Sequence, residues 1–140
     1  MHESKTYILL IDDDDDDLEM YSSELGKKGI KVKPFNCSVR ALFYLTLVAG
    51  ISELPAFIIM DFNMPKKNGL QVLQAIKDNK DTKNIPVVIY STNMSSNLKT
   101  KLLNAGAVDC FSKPWNYDAF IHQIGTFQQL TSSLTINRLT

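Results

Sequence analysis

The sequence predicts an α/β fold in which a mostly parallel sheet carries helices on both faces. Five short apolar runs recur along the chain's 140 residues, and the stretches between them place apolar residues three or four apart. The first, third and fourth runs are continuously apolar, as strands buried on both faces must be. At this length one domain is the expectation, large enough to bury roughly two thirds of the surface its unfolded chain exposes.

The elements follow in order. Tyr7–Ile11 is the first strand, and Leu18, Tyr21 and Leu25 mark a helix that Gly26 or Gly29 stops. Ile30–Phe35 alternates Ile30, Val32 and Pro34 against Lys31 and Lys33, which suits an edge strand, where proline is tolerated. Val39, Leu42, Phe43 and Leu47 mark the second helix, Ala56–Met60 the third strand, and Leu70, Leu73 and Ile76 the third helix. Val87–Tyr90 is the fourth strand, and Leu98 with Leu102 marks a fourth helix ended by Gly106. Val108–Phe111 is the fifth strand, before a helix marked by Phe120, Ile121, Ile124 and Phe127. These aromatic and aliphatic stripes are read as core. There is no internal repeat or linker, so residues 1–130 form the domain and the polar stretch 131–140 a C-terminal tail.

Composition narrows the partners. Lysine plus arginine equal aspartate plus glutamate at 15 each, which gives no general reason to expect nucleic acid or an anionic membrane as partner. The first apolar run is too short for a signal peptide, and no stretch approaches the roughly 20 apolar residues of a membrane span. Cys37 and Cys110 are isolated and read as reduced and buried, which fits a cytoplasmic protein. His2 and His122 have no ligand partner at useful spacing, so a zinc site is rejected.

Chemistry concentrates where the strands end. Six aspartates, Asp12 to Asp17, follow the first strand without interruption. Like charges at the end of a buried strand disfavour one another's ionisation, and a hard divalent cation is the cheapest relief for Asp12 and Asp13. Asp15, Asp16 and Asp17 read instead as the solvated first turn of a helix. Ligands of open α/β sheets bind outside the carboxyl ends of the strands. The first polar residues there are Asp12 and Asp13, Asp61, Ser91 with Thr92, and Lys113. Asp12, Asp13 and Asp61, with a backbone carbonyl near Asn63, can hold Mg²⁺. Asp61 stands alone and is the better phosphoryl acceptor, while Ser91 and Lys113 can neutralise phosphoryl oxygens.

The segments Ile8-Leu9-Leu10-Ile11-Asp12-Asp13, Ile58-Ile59-Met60-Asp61-Phe62-Asn63-Met64-Pro65, Val88-Ile89-Tyr90-Ser91 and Lys113-Pro114, in this order, resemble a response-regulator receiver domain up to Leu130. The resemblance implies a flavodoxin-like (βα)₅ fold, a doubly wound parallel five-stranded sheet of order 2-1-3-4-5. It implies Asp61 as phosphoacceptor, Asp13, Asp61 and the Asn63 carbonyl as Mg²⁺ ligands, and Asp12 acting mainly through metal-bound water. Ser91 and Lys113 would each bind a phosphoryl oxygen, and the Lys113–Pro114 bond would be cis. The donor would be a histidine kinase or a histidine phosphotransfer protein. Because only about ten residues follow the fifth helix, output is expected through a downstream protein, at the face of helix four, strand five and helix five. Whether a homodimer forms is left open.

Two positions depart from the family pattern. Three residues before Lys113, where a Tyr or Phe usually reports phosphorylation, stands Cys110, with Phe111 beside it. Either Phe111 takes over through a local shift or the aromatic switch is absent. Thr92 stands where a smaller residue is common. Two other functions compete. One is a degenerate receiver that binds partners without phosphorylation. The other is a phosphatase of the haloacid-dehalogenase type, with Asp12 as nucleophile and Asp14 as acid, although Asp16 stands where that pattern needs Thr or Val.

Overall fold

A computed structural model describes residues 7–114 and 116–126. Its sheet comprises β1 (Tyr7–Ile11), β2 (Lys31–Phe35), β3 (Phe57–Asp61), β4 (Val87–Ser91) and β5 (Asp109–Ser112). Between them lie α1 (Asp15–Lys27), α2 (Ser38–Ala49), α3 (Gly69–Asp78) and α4 (Ser96–Asn104). A fifth helix, α5, covers 117–126. The strands run in the order β2-β1-β3-β4-β5, every neighbouring pair parallel, so the implied 2-1-3-4-5 order holds and β2 is an edge strand. Strand order reverses between β2 and β3 about β1, which opens a crevice at the carboxyl ends of β1 and β3.

Period-two alternation sorts the strand residues into two core layers. Leu9, Ile11, Ile58, Met60, Val87, Ile89 and Cys110 pack towards Ala41 and Leu45 of α2, Leu73 and Ile76 of α3 and Leu102 of α4. Ile8, Leu10, Phe57, Ile59, Val88, Tyr90 and Phe111 pack towards Leu18, Tyr21 and Leu25 of α1 and Phe120, Ile121 and Ile124 of α5. Each valine, leucine, isoleucine, methionine or phenylalanine among them, taken fully from water, contributes roughly 1.5–3 kcal/mol. Among the described residues no helix is long and apolar enough to cross a membrane.

Local chemistry sets the helix ends next to the crevice. Asp14 caps α1, accepting the Asp17 N–H at 3.1 Å, and Asp15, Asp16 and Asp17 place negative charge at the positive end of the helix dipole. Asn68 and Gln71 form a reciprocal capping box at the start of α3. Gly29 supplies the left-handed turn, φ +81°, by which the chain leaves α1 for β2, so it rather than Gly26 ends that segment.

Several expectations are corrected, among them the burial of Cys37, which stands partly exposed at the start of α2, whereas Cys110 is buried as expected. In α2 the buried residues are Ser38, Ala41, Leu45 and Val48, while Val39, Phe43 and Leu47 face outwards, with Phe43 65% exposed. The helix is apolar nearly all round, so its periodicity did not identify the inward face. β3, β4 and β5 each extend one residue further than the apolar runs, because Asp61, Ser91 and Ser112 still join the ladder. None of the described peptide bonds is cis, so Lys113–Pro114 is trans and the implied cis bond is not present. Phe127 and the tail 131–140 lie outside the described residues.

Candidate functional site

Parallel strands of similar length end together, and their first polar side chains therefore meet. Asp12, Asp13 and Asp61 each offer a carboxylate oxygen, and these atoms all lie within 4.8 Å of one another. Asp12 is 1% exposed, Asp61 is half-buried and Asp13 is exposed, so the group opens to solvent on one side. Lys113, which follows β5, brings its Nζ to 3.9 Å from Asp12 Oδ2. Ser91 is buried at the end of β4, and its Oγ lies 3.0 Å from the side-chain nitrogen of Asn63, on the turn after β3. The Asn63 backbone N–H donates to Asp61 Oδ1 at 3.0 Å. All the residues singled out at the strand ends thus share one rim, apart from Thr92, which is exposed beside Ser91.

Electrostatics follows from burial. Asp61 is pushed up from 3.8 to about 6, first by burial and then by the nearby negative charge of Asp12, against the lowering bond from Asn63. Asp12 is also raised, chiefly by burial, although the Tyr90 hydroxyl and the Asp14 N–H both stabilise its anion. Crowded hard oxygen donors of this kind suit a hard divalent cation, whose charge offsets their mutual repulsion. Gly69 at the start of α3 is held against this site. A Cβ there would stand 2.9 Å from the Phe62 Cα, so the α3 terminus can approach the turn after Asp61 only without a side chain.

Two participants escape the strand-end pattern. Tyr90, fully buried on the α1 and α5 side, donates its hydroxyl to Asp12 Oδ2 at 2.5 Å. Asp17, expected in solvent, is paired with Lys113 and accepts the Tyr117 hydroxyl at 3.1 Å. Both oxygens of Asp12 are therefore occupied, Oδ1 by the Asp14 N–H at 2.9 Å and Oδ2 by Tyr90. A buried carboxylate so engaged is a poor nucleophile. Asp14 meanwhile serves as a helix cap, so the phosphatase reading loses both of its residues.

The family model for the response regulator receiver domain matches residues 8–125. The chain belongs to that family. The receiver domain is similar to the two-component response regulator ORR6 of Oryza sativa subsp. japonica, 31% identical over 112 residues, covering 80% of this chain and 65% of that protein. It is likewise 31% identical over 118 residues to hybrid signal transduction histidine kinase C of Dictyostelium discoideum, covering 79% of this chain but 9% of that protein. Among solved structures, the receiver domain of Francisella response regulator 1452 superposes with a TM-score of 0.74 at 25% identity, covering 90% of this chain and 98% of that one.

Within the receiver domain, Phe111 does not replace the aromatic missing at Cys110. β5 keeps a regular register, with Cys110 opposite Ile89 and Phe111 opposite Tyr90. The two side chains consequently fall in opposite core layers, Cys110 towards α4 and Phe111 against Tyr90 and Phe120. No local shift exchanges them.

Proposed function

We propose that this receiver domain takes a phosphoryl group onto Asp61 from a phosphohistidine of a histidine kinase or a histidine phosphotransfer protein. An Asp61 carboxylate oxygen attacks phosphorus, the bond from phosphorus to the donor imidazole nitrogen breaks, and the imidazole keeps the electron pair. Asp12, Asp13, Asp61 and the Asn63 carbonyl are the residues that would hold Mg²⁺, Asp12 through metal-bound water. When bound, Mg²⁺ supplies positive charge to the phosphoryl oxygens. Ser91 donates its hydroxyl to one of those oxygens and Lys113 its ammonium to another.

The observation that carries this reading is the meeting of three carboxylates from β1 and β3 with Lys113 from the end of β5 on one rim. Asp61 is distinguished within that group because it is half-buried and open to the rim, whereas Asp12 is enclosed and engaged at both oxygens. Output is protein association at the face of α4, β5 and α5. The loop after β4 is tied to the end of β5 by the Met94 N–H, which donates to Ser112 Oγ at 3.3 Å, so motion at Ser91 passes to that face.

Incubation with Mg²⁺ and acetyl phosphate, followed by intact-mass measurement, tests the acceptor role. The expected result is a gain of one phosphoryl group that disappears in Asp61→Ala. No gain in the native chain, or an equal gain in the variant, would overturn it.

A further inference from the structure

The close partner of Lys113 is Asp17, on the first turn of α1, while the ion pair with Asp12 is longer at 3.9 Å. Tyr117 of α5 donates its hydroxyl to the other Asp17 oxygen, Oδ1, at 3.1 Å. The ammonium lies 5.6 Å from the ring centroid of Tyr21 and 5.8 Å from that of Tyr90. Tyr21 in turn stacks on Phe120 at 3.9 Å and meets Tyr117 edge-on at 5.6 Å. One carboxylate therefore joins three separate pieces of chain: the segment after β5, α1 and α5.

We propose that Asp17 is a positioning residue that competes with the phosphoryl group for Lys113, and that loss of this ion pair on phosphorylation frees the bonded Asp17–Tyr117 pair from the rim and so reports the event to α5. The inference rests on Asp61 being the acceptor. A lysine ammonium is a compact charge on a flexible stem, able to exchange one anion for another by rotamer changes. Drawn towards a phosphoryl group on Asp61, it leaves Asp17 with the Tyr117 hydroxyl as its remaining side-chain partner among the described residues. The bridge from α1 through Lys113 to the rim is then broken. Cys110 lies in the core layer opposite to that of Phe120, Ile121 and Ile124 of α5, so the path by Asp17 and Tyr117 reaches α5 from the side that Cys110 does not face.

Beryllofluoride, a phosphoryl mimic, separates this role from a simple effect of charge. In the full chain with Mg²⁺, the Tyr117 ring signals are followed by NMR and beryllofluoride affinity by titration. Asp17→Asn should move the Tyr117 and α5 signals, without beryllofluoride, towards the positions that the native chain reaches only with it. The same variant should bind beryllofluoride about fivefold more tightly. Asp17→Glu should restore native behaviour. Asp16→Asn removes the same charge from an exposed neighbour and should change affinity by no more than about twofold. The proposal is overturned if Asp16→Asn and Asp17→Asn act alike, or if beryllofluoride binds the native chain without moving Tyr117. If the native chain binds no beryllofluoride, the acceptor reading fails and the tie is judged by Lys113→Ala alone. A shifted Tyr117 ring then supports it, and an unmoved ring overturns it.

Discussion

Replacing Asp61 with Asn should stabilise the folded chain at neutral pH and leave its stability unchanged in acid. The folded carboxyl titrates at about 6 against an ordinary value of 3.8, so between these pH values the folded chain holds a proton that the unfolded chain has released. Stability then falls as pH rises through that window, the direction opposite to that of a salt-bridged carboxylate. For a fully buried group the displacement corresponds to about 3 kcal/mol. Asp61 is only partly buried, and screening by solvent lowers the expected contribution to about 1–2 kcal/mol. Asparagine keeps an oxygen for the Asn63 N–H but cannot ionise, and so lacks this fall. Urea unfolding of both chains from pH 4 to 8, with divalent cations chelated, gives the difference curve. It should rise from near zero to its plateau between about pH 4 and 7. Added Mg²⁺ should then narrow it, because a cation bound to the native carboxylates stabilises the folded form. A flat difference, or a less stable variant at pH 7, would refute the claim that crowding and burial strain this carboxylate.

Four further outcomes follow. Mg²⁺ affinity, measured by calorimetry, should weaken as pH falls below about 6, because protons compete with the cation for Asp61. Tyr90→Phe deletes the hydroxyl donated to buried Asp12 and should cost about 1–3 kcal/mol in urea unfolding, with an unchanged midpoint showing that another donor replaces it. Leu45→Ala should cost about 2–5 kcal/mol, while Phe43→Ala, on the outer face of the same helix, should change stability by about 0.5 kcal/mol or less. Equal costs would place the core on the wrong side of α2. Gly69→Ala forces a Cβ against the Phe62 backbone and should cost about 1–3 kcal/mol, again by urea unfolding; a neutral substitution would show that the turn after Asp61 yields freely.

The sheet and its rim were legible because both depend on strongly constrained patterns. Continuous apolar runs between helical stretches define buried parallel strands, and polar residues at their carboxyl ends must then converge whatever the helices do. Asp12, Asp13, Asp61, Ser91 and Lys113 were found on that logic. The inward face of α2 is not legible because Val39, Phe43 and Leu47, four apart, and Ala41, Leu45 and Val48, four and three apart, are both apolar stripes of helical period. Period alone cannot rank two apolar stripes of one helix. Asp17 reads, with Asp15 and Asp16, as part of a solvated first turn. Its separation of four from Tyr21 places it on the edge of the buried α1 stripe, and that signal was available. Tyr90 was legible in the same way, since a tyrosine at the end of an otherwise aliphatic buried strand must find a partner for its hydroxyl. Which acid would answer that hydroxyl depended on strand register, which the sequence alone does not specify.

Asp61 as the phosphoryl acceptor is tested most directly by locating the modification. After reaction with Mg²⁺ and acetyl phosphate, borohydride reduces an aspartyl phosphate to homoserine, which peptide mass spectrometry assigns to a position. Homoserine at position 61, with positions 12 and 13 unmodified, is the expected result. Homoserine at either of those two, or nowhere in the chain, would contradict it.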